Sequence, residues 1–131
     1  PKSTGRELFS LAWLQTQLAG SENPHDVLRT LVQFTAETAA EAVFQAAPDV
    51  QNVYACGGGV NNSILMSALQ KLLAEKQIQL HSTATLNLHP QWVEAAAFGW
   101  FAACWINRTP SNPHCATGAA RPLVLGAGYF A

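Results

Sequence analysis

Charge is what this sequence has least of. Aspartate, glutamate, lysine and arginine make up 11% of its 131 residues, against roughly 25% in an average soluble domain. Seven Lys and Arg stand against eight Asp and Glu, for a formal net charge of −1. There is therefore no basic excess to neutralise phosphates, which excludes nucleic acid as a partner. A charged disordered tail and a coiled coil are excluded on the same ground. Cysteine is scarce and odd in number: Cys56, Cys104 and Cys115 form no CxxC pair, so neither a disulfide framework nor a zinc site is expected. His25, His81, His89 and His114 are equally scattered, and no metal-binding residue is assigned. Long apolar runs are missing too. The longest, residues 95–106, falls short of the ~20 residues a bilayer crossing needs. With no signal peptide visible, the expectation is a soluble, cytoplasmic chain that does not enter a membrane. The sequence opens at Pro1 without an initiator methionine, and we expect a piece of a longer protein.

What is present is an ordered succession of helix and strand signals. Thr4 and Glu7 have capping-box spacing ahead of Leu8, Phe9, Leu11, Ala12, Trp13 and Leu14, which predicts a short helix ending near Gly20. Asn23, Pro24 and Asp26 predict a second helix over 24–47, with a cap, a proline at the first position and an acid in the first turn. Its Arg29, Gln33, Glu37, Glu41 and Gln45 form a polar stripe. Leu28, Leu31, Val32, Thr35, Ala39, Ala42, Val43 and Ala46 form the expected apolar face. A strand follows over 52–56, a helix over 63–75, a half-exposed strand over 78–82, and a helix over 91–107 opened by Pro90. Leu123-Val124-Leu125-Gly126 reads as a short strand or extended segment. This order predicts an α/β fold with a parallel strand pair. Two or three strands make only a partial sheet with packed helices.

Two constellations could carry chemistry. The first is Gly57-Gly58-Gly59-Val60-Asn61-Asn62, between a strand and a helix. Bare backbone leaves no side chain between the amides and a ligand, and a helix start offers unpaired N–H groups to a phosphate. Such a corner at a strand's carboxyl end is where open α/β sheets bind ligands. It is neither a Walker loop nor a Rossmann fingerprint. A plain tight turn, with Asn62 capping the helix, fits the same residues. The second is Glu94, the one charge in a helix apolar on every side, which predicts burial of most of that helix. A carboxylate kept there either reaches solvent at the helix's first turn or lines a cleft, where it polarises water or binds a hydroxyl. We expect the glycine turn and Glu94 to face one crevice. Trp13, Trp92, Trp100 and Trp105 read as core packing. Arg6 could pair with an anionic ligand or an acidic side chain.

These motifs resemble those of the anhydro-N-acetylmuramic acid kinase family. The resemblance rests on Ser3-Thr4-Gly5-Arg6-Glu7-Leu8-Phe9, on Cys56-Gly57-Gly58-Gly59-Val60-Asn61-Asn62 with Leu65-Met66, on Val93-Glu94-Ala95-Ala96-Ala97-Phe98-Gly99-Trp100-Phe101-Ala102, and on Thr117-Gly118-Ala119 before Val124-Leu125-Gly126. Gly99 and Phe101 depart from the family's more usual Ala and Leu without changing charge. The resemblance implies a carboxy-terminal lobe, residues 1–131 as a single domain, of an actin/Hsp70/sugar-kinase (ribonuclease-H-like) fold with two lobes around ATP. It implies hydration of the 1,6-anhydro bond of anhydro-N-acetylmuramic acid with transfer of the γ-phosphoryl of ATP to O6. The product is N-acetylmuramic acid 6-phosphate, in cell-wall recycling. Gly57, Gly58, Gly59 and Asn62 then lie on the nucleotide, and Glu94 faces the sugar and helps hold the attacking water. The phosphate loop and general-base aspartate of the family are not in this sequence, so the segment alone should be inactive. Implied partners are ATP with Mg2+, the sugar and the remaining amino-terminal part of the enzyme, with a homodimer left open. Two alternatives stand beside this reading: another sugar kinase of the superfamily, and a non-catalytic nucleotide-binding or oligomerisation module.

Overall fold

The computed structural model describes Gly5, residues 8–112 and residues 118–129. Ser3, Thr4, Arg6, Glu7, Cys115 and Thr117 lie outside the described residues, and with them the expected capping box. Six main elements follow in order: α1 (Leu11–Gln17), α2 (Pro24–Ala46), β1 (Asn52–Ala55), α3 (Ser63–Ala74), β2 (Gln79–Ser82) and α4 (Val93–Ile106). They divide between two compact units, one of Gln15–Val93 and one of Pro1–Leu14 with Glu94–Ala131.

In the Gln15–Val93 unit, local chemistry fixes the start of α2 as expected. Asn23 is extended, its side chain accepts from the His25 N–H at 2.9 Å, and Pro24 occupies the first helical position. Upstream, the Glu22 carboxylate accepts from the N–H groups of Ala19 and Gly20. The Ala19 bond foremost holds it below the usual carboxylate range. β1 and β2 pair in parallel with Val53 opposite Leu80 and Tyr54 opposite His81, and α3 makes the crossover between them. One sheet face carries Val53 and Leu80 onto a core of Ala40, Leu73 and Ile78, with Val43, Phe44, Val50, Leu69 and Leu72 around it. Leu73, fully buried, anchors this core.

The buried face of α2 only partly follows its periodicity: of the expected face, Leu31, Val32 and Val43 are half-buried. Ala36 and Ala40 are buried, whereas Leu28, Thr35, Ala39, Ala42 and Ala46 are exposed. Small residues let α3 approach closely, and the contact stripe therefore runs through the two alanines toward Val43 and Phe44 rather than along the larger Leu28 side.

In the other unit, α4 is the dominant element. The expected burial of this helix is not found: Cys104 alone is buried, and Phe98 (65%), Trp100 (54%) and Ile106 (70%) are exposed. Trp92, just before α4 in the Gln15–Val93 unit, is exposed as well. A helix apolar all round needs cover on several sides. Among the described residues its own unit offers part of α1 and the segment 118–129, which leave Phe98, Trp100 and Ile106 uncovered. The segment 123–126, a candidate strand or extended segment, has no strand pairing, and Gly126 takes a positive φ of 102°.

Candidate functional site

The carboxyl end of β1 runs straight into the glycine turn. Gly57 has φ 78°, a left-handed conformation that side-chain-bearing residues adopt at a cost. Its N–H donates to the Pro90 carbonyl at 2.9 Å. Gly58–Asn61 then make one 3-10 turn, and Asn62 caps α3 with its side-chain oxygen accepting from the Leu65 N–H at 3.1 Å. The structure thus brings Gly57, Gly58, Gly59 and Asn62 together in one turn. The cap occupies one end of the Asn62 amide, its Oδ1.

A Cβ added at Gly57 or Gly58 would meet nothing within 4 Å, and one at Gly59 would meet only Leu65 at 3.6 Å. Internal packing therefore does not demand glycine at 58 or 59. The backbone there is simply left bare, on the side where the unpaired amides of the α3 start are found.

Next to this turn the structure adds a feature that the sequence did not single out. A groove of about 500 Å³ runs between α2 and α3, lined by Arg29, Val32 and Gln33 on one side and Ser63, Ile64, Ser67 and Lys71 on the other. Ser63 is the residue directly after the cap, so the groove starts where the glycine turn stops. Two of the chain's seven Lys and Arg residues flank it. Gln33 donates from Nε2 to Glu37 at 2.8 Å, which leaves its Oε1 as an acceptor. Arg29 and Gln33 are legible in sequence as part of a polar stripe. That Lys71 faces them across a groove follows only from the packing of α2 on α3.

The other missed residue is Thr83, at the carboxyl end of β2. It is buried, and its hydroxyl finds no hydrogen-bond partner among the described residues, a rare condition for a buried polar group.

Glu94 lies in the first turn of α4, in the other compact unit, and is exposed. Its carboxylate makes no hydrogen bond to any described residue. Burial, the ground on which the sequence singles it out, does not apply to this chain. Cys56 is a free, exposed thiol beside the turn, and Cys104 a free, buried one. Among the described residues no group of three or more His, Cys, Asp or Glu gathers as a metal site, and no helix is long and apolar enough to cross a membrane.

Comparison with known proteins bears on what this turn belongs to. The sequence pattern of the anhydro-N-acetylmuramic acid kinase family matches residues 1–131. Curated anhydro-N-acetylmuramic acid kinases are similar over nearly the whole chain. The Neisseria gonorrhoeae protein is 61% identical over 130 residues, covering 99% of this chain and 35% of that relative. The Idiomarina loihiensis protein is 48% identical over 128 residues (97% and 34%). The Nitrosomonas europaea protein is 46% identical over 129 residues (98% and 35%). The chain thus spans about a third of the length of these relatives. A helix-flanked parallel strand pair is consistent with an α/β kinase fold, and with a match along its entire length this chain belongs to the anhydro-N-acetylmuramic acid kinase family.

Proposed function

We propose that residues 1–131 form the carboxy-terminal, nucleotide-side lobe of a two-lobe kinase. The full enzyme converts 1,6-anhydro-N-acetylmuramic acid, water and ATP to N-acetylmuramic acid 6-phosphate and ADP. In that reaction water adds to C1 as the C1–O6 bond breaks, and O6 takes the γ-phosphoryl group as its bond to the β-phosphate oxygen breaks. The observation that carries this reading is the bare glycine turn capped by Asn62 and continued by a cation-flanked groove.

Phosphoryl transfer depends chiefly on positioning and charge neutralisation, and this lobe's residues suit the first of these. The backbone of Gly57, Gly58 and Gly59 admits a phosphate or ribose to van der Waals distance. The α3 N-terminus adds partial positive charge to that end. The groove suits a nucleobase: Val32 and Ile64 give apolar walls, the Arg29 guanidinium can lie over a π-face, and Gln33 Oε1 with the Ser67 hydroxyl can read a polar edge. Glu94, exposed and free of hydrogen bonds to the described residues, is available to hold the attacking water beside a general base supplied by the rest of the enzyme. No residue of this chain is assigned to Mg2+, which ATP is expected to bring with it.

The test uses the full-length enzyme with ATP and the anhydro sugar. A Cβ added at Gly58 meets no atom within 4 Å among the described residues beyond its chain neighbours, so the effect of Gly58→Ala, which adds no more than that, reports on the ligand. The KM for ATP should rise about tenfold or more, equivalent to ~1.4 kcal/mol, with the KM for the sugar unchanged. An unaltered KM for ATP removes the turn from the nucleotide site.

A further inference from the structure

The far end of α4 is held in an unusual way. Trp105, in its last turn, lies under the segment 121–129. A Cβ built on Gly128 would fall 2.0 Å from Cη2 and 2.4 Å from Cζ2 of the Trp105 ring, and one on Gly126 3.5 Å from Cδ1. The backbone of Gly128 therefore rests directly on the indole, with no room for a methyl group. The Arg108 guanidinium lies over the same ring, 4.8 Å from its centroid. The segment is pinned beside this contact. Ser111 N–H donates to the Leu123 carbonyl at 3.0 Å. Asn112 clamps the segment twice, donating from Nδ2 to the Arg121 carbonyl at 3.1 Å and accepting the Leu123 N–H on Oδ1. Cys104 and Ser111 are the buried residues of this region, so the packing of α4 within its unit concentrates at this end.

We propose that the Trp105–Gly128 clasp is a positioning device for the reaction: it sets the axial and rotational seat of α4, and through the helix the place of Glu94. This rests on the reading of Glu94 as the residue that holds the attacking water. Trp105 lies eleven positions after Glu94, about 16 Å of helix at ~1.5 Å per residue, and an α-helix of that length moves as a rod. No hydrogen bond to a described residue fixes the Glu94 carboxylate locally, so the helix fixes it. An added methyl at 128 needs roughly 1.5–2 Å more room than the ring allows, given ordinary carbon contacts of ~3.5–4.0 Å. A misplacement of about 1 Å at reacting groups can cost about 10²-fold in rate.

The experiment is a kinetic cycle on the full-length enzyme with Gly128→Ala, Glu94→Gln and the double variant. Gly128→Ala should lower kcat about 10- to 100-fold and leave the KM for ATP within about twofold. In the Glu94→Gln background it should cost almost nothing further, because two changes that act through one group are not additive. Trp105→Leu, which clears the space that the methyl needs, should restore part of the kcat lost in Gly128→Ala. Should Gly128→Ala fail to fold, Trp105→Phe, which removes bulk from the clasp and adds none, should show the same kcat loss and the same non-additivity. A kcat loss that adds fully to that of Glu94→Gln, or a fall in melting temperature with kcat intact, overturns the positioning role while leaving the kinase reading standing. A Glu94→Gln enzyme with normal kcat overturns the assignment of Glu94 itself and the positioning role with it.

Discussion

At the scale of single residues, Asn62 poses the sharpest question, because it has two possible duties at once. Its Oδ1 caps α3, and the turn it closes is the proposed seat of the nucleotide. Asn62→Asp separates them. Asp caps about as well as Asn, and a negative charge at a helix N-terminus contributes roughly 0.3–1 kcal/mol of favourable energy. The melting temperature of the full-length enzyme should hold or rise. In the proposed site the same charge would face a triphosphate, so the KM for ATP should increase severalfold or more. If affinity for ATP follows stability and does not fall, Asn62 is a cap and nothing else. The turn residues were legible in sequence because glycine and a capping asparagine are local signals. The groove residues were not, because nothing local tells Ser67 and Lys71 which neighbour they will face.

Secondary-structure elements were legible where their ends carry chemistry. Asn23-Pro24 starts α2 and Asn62 starts α3 as side-chain capping requires. The strands occupy the expected positions to within one residue at each end. Periodicity located the buried face of α2 only in part. Several stripes of that helix are apolar, and only the approach of α3 selects Ala36 and Ala40. That selection makes Ala40 a sensitive position. Ala40→Leu forces bulk between two helices already in contact with fully buried Leu73, and overpacking of this kind costs about 1–3 kcal/mol. Ala39→Leu, one residue along and exposed, should stay within about 0.5 kcal/mol of the parent. Chemical denaturation of the two variants of the full-length enzyme checks the assignment: equal effects would mean that α2 packs otherwise than described.

For the molecule as a whole, the telling mismatch is α4. Its composition calls for cover on every side, yet Phe98 and Trp100 stand 65% and 54% exposed. The chain spans about a third of its relatives' length, which leaves most of a full enzyme available to supply that cover. Sequence periodicity could state the demand for burial, but not which surface meets it. The consequence is measurable. Judged on this chain alone, Trp100→Lys is a surface change and should alter stability by no more than about 0.5 kcal/mol. If the remainder of the enzyme packs against α4, the same substitution puts an ammonium group where an indole was buried. Loss of a large aromatic in a core costs about 3–5 kcal/mol, and an unpaired buried charge adds to that. The full-length variant should therefore lose at least 3 kcal/mol in denaturant unfolding, and Trp100 fluorescence in the parent should resist quenching by iodide. A freely quenched Trp100 with an unchanged unfolding midpoint would leave this face to solvent, or to a partner that the enzyme does not itself contain.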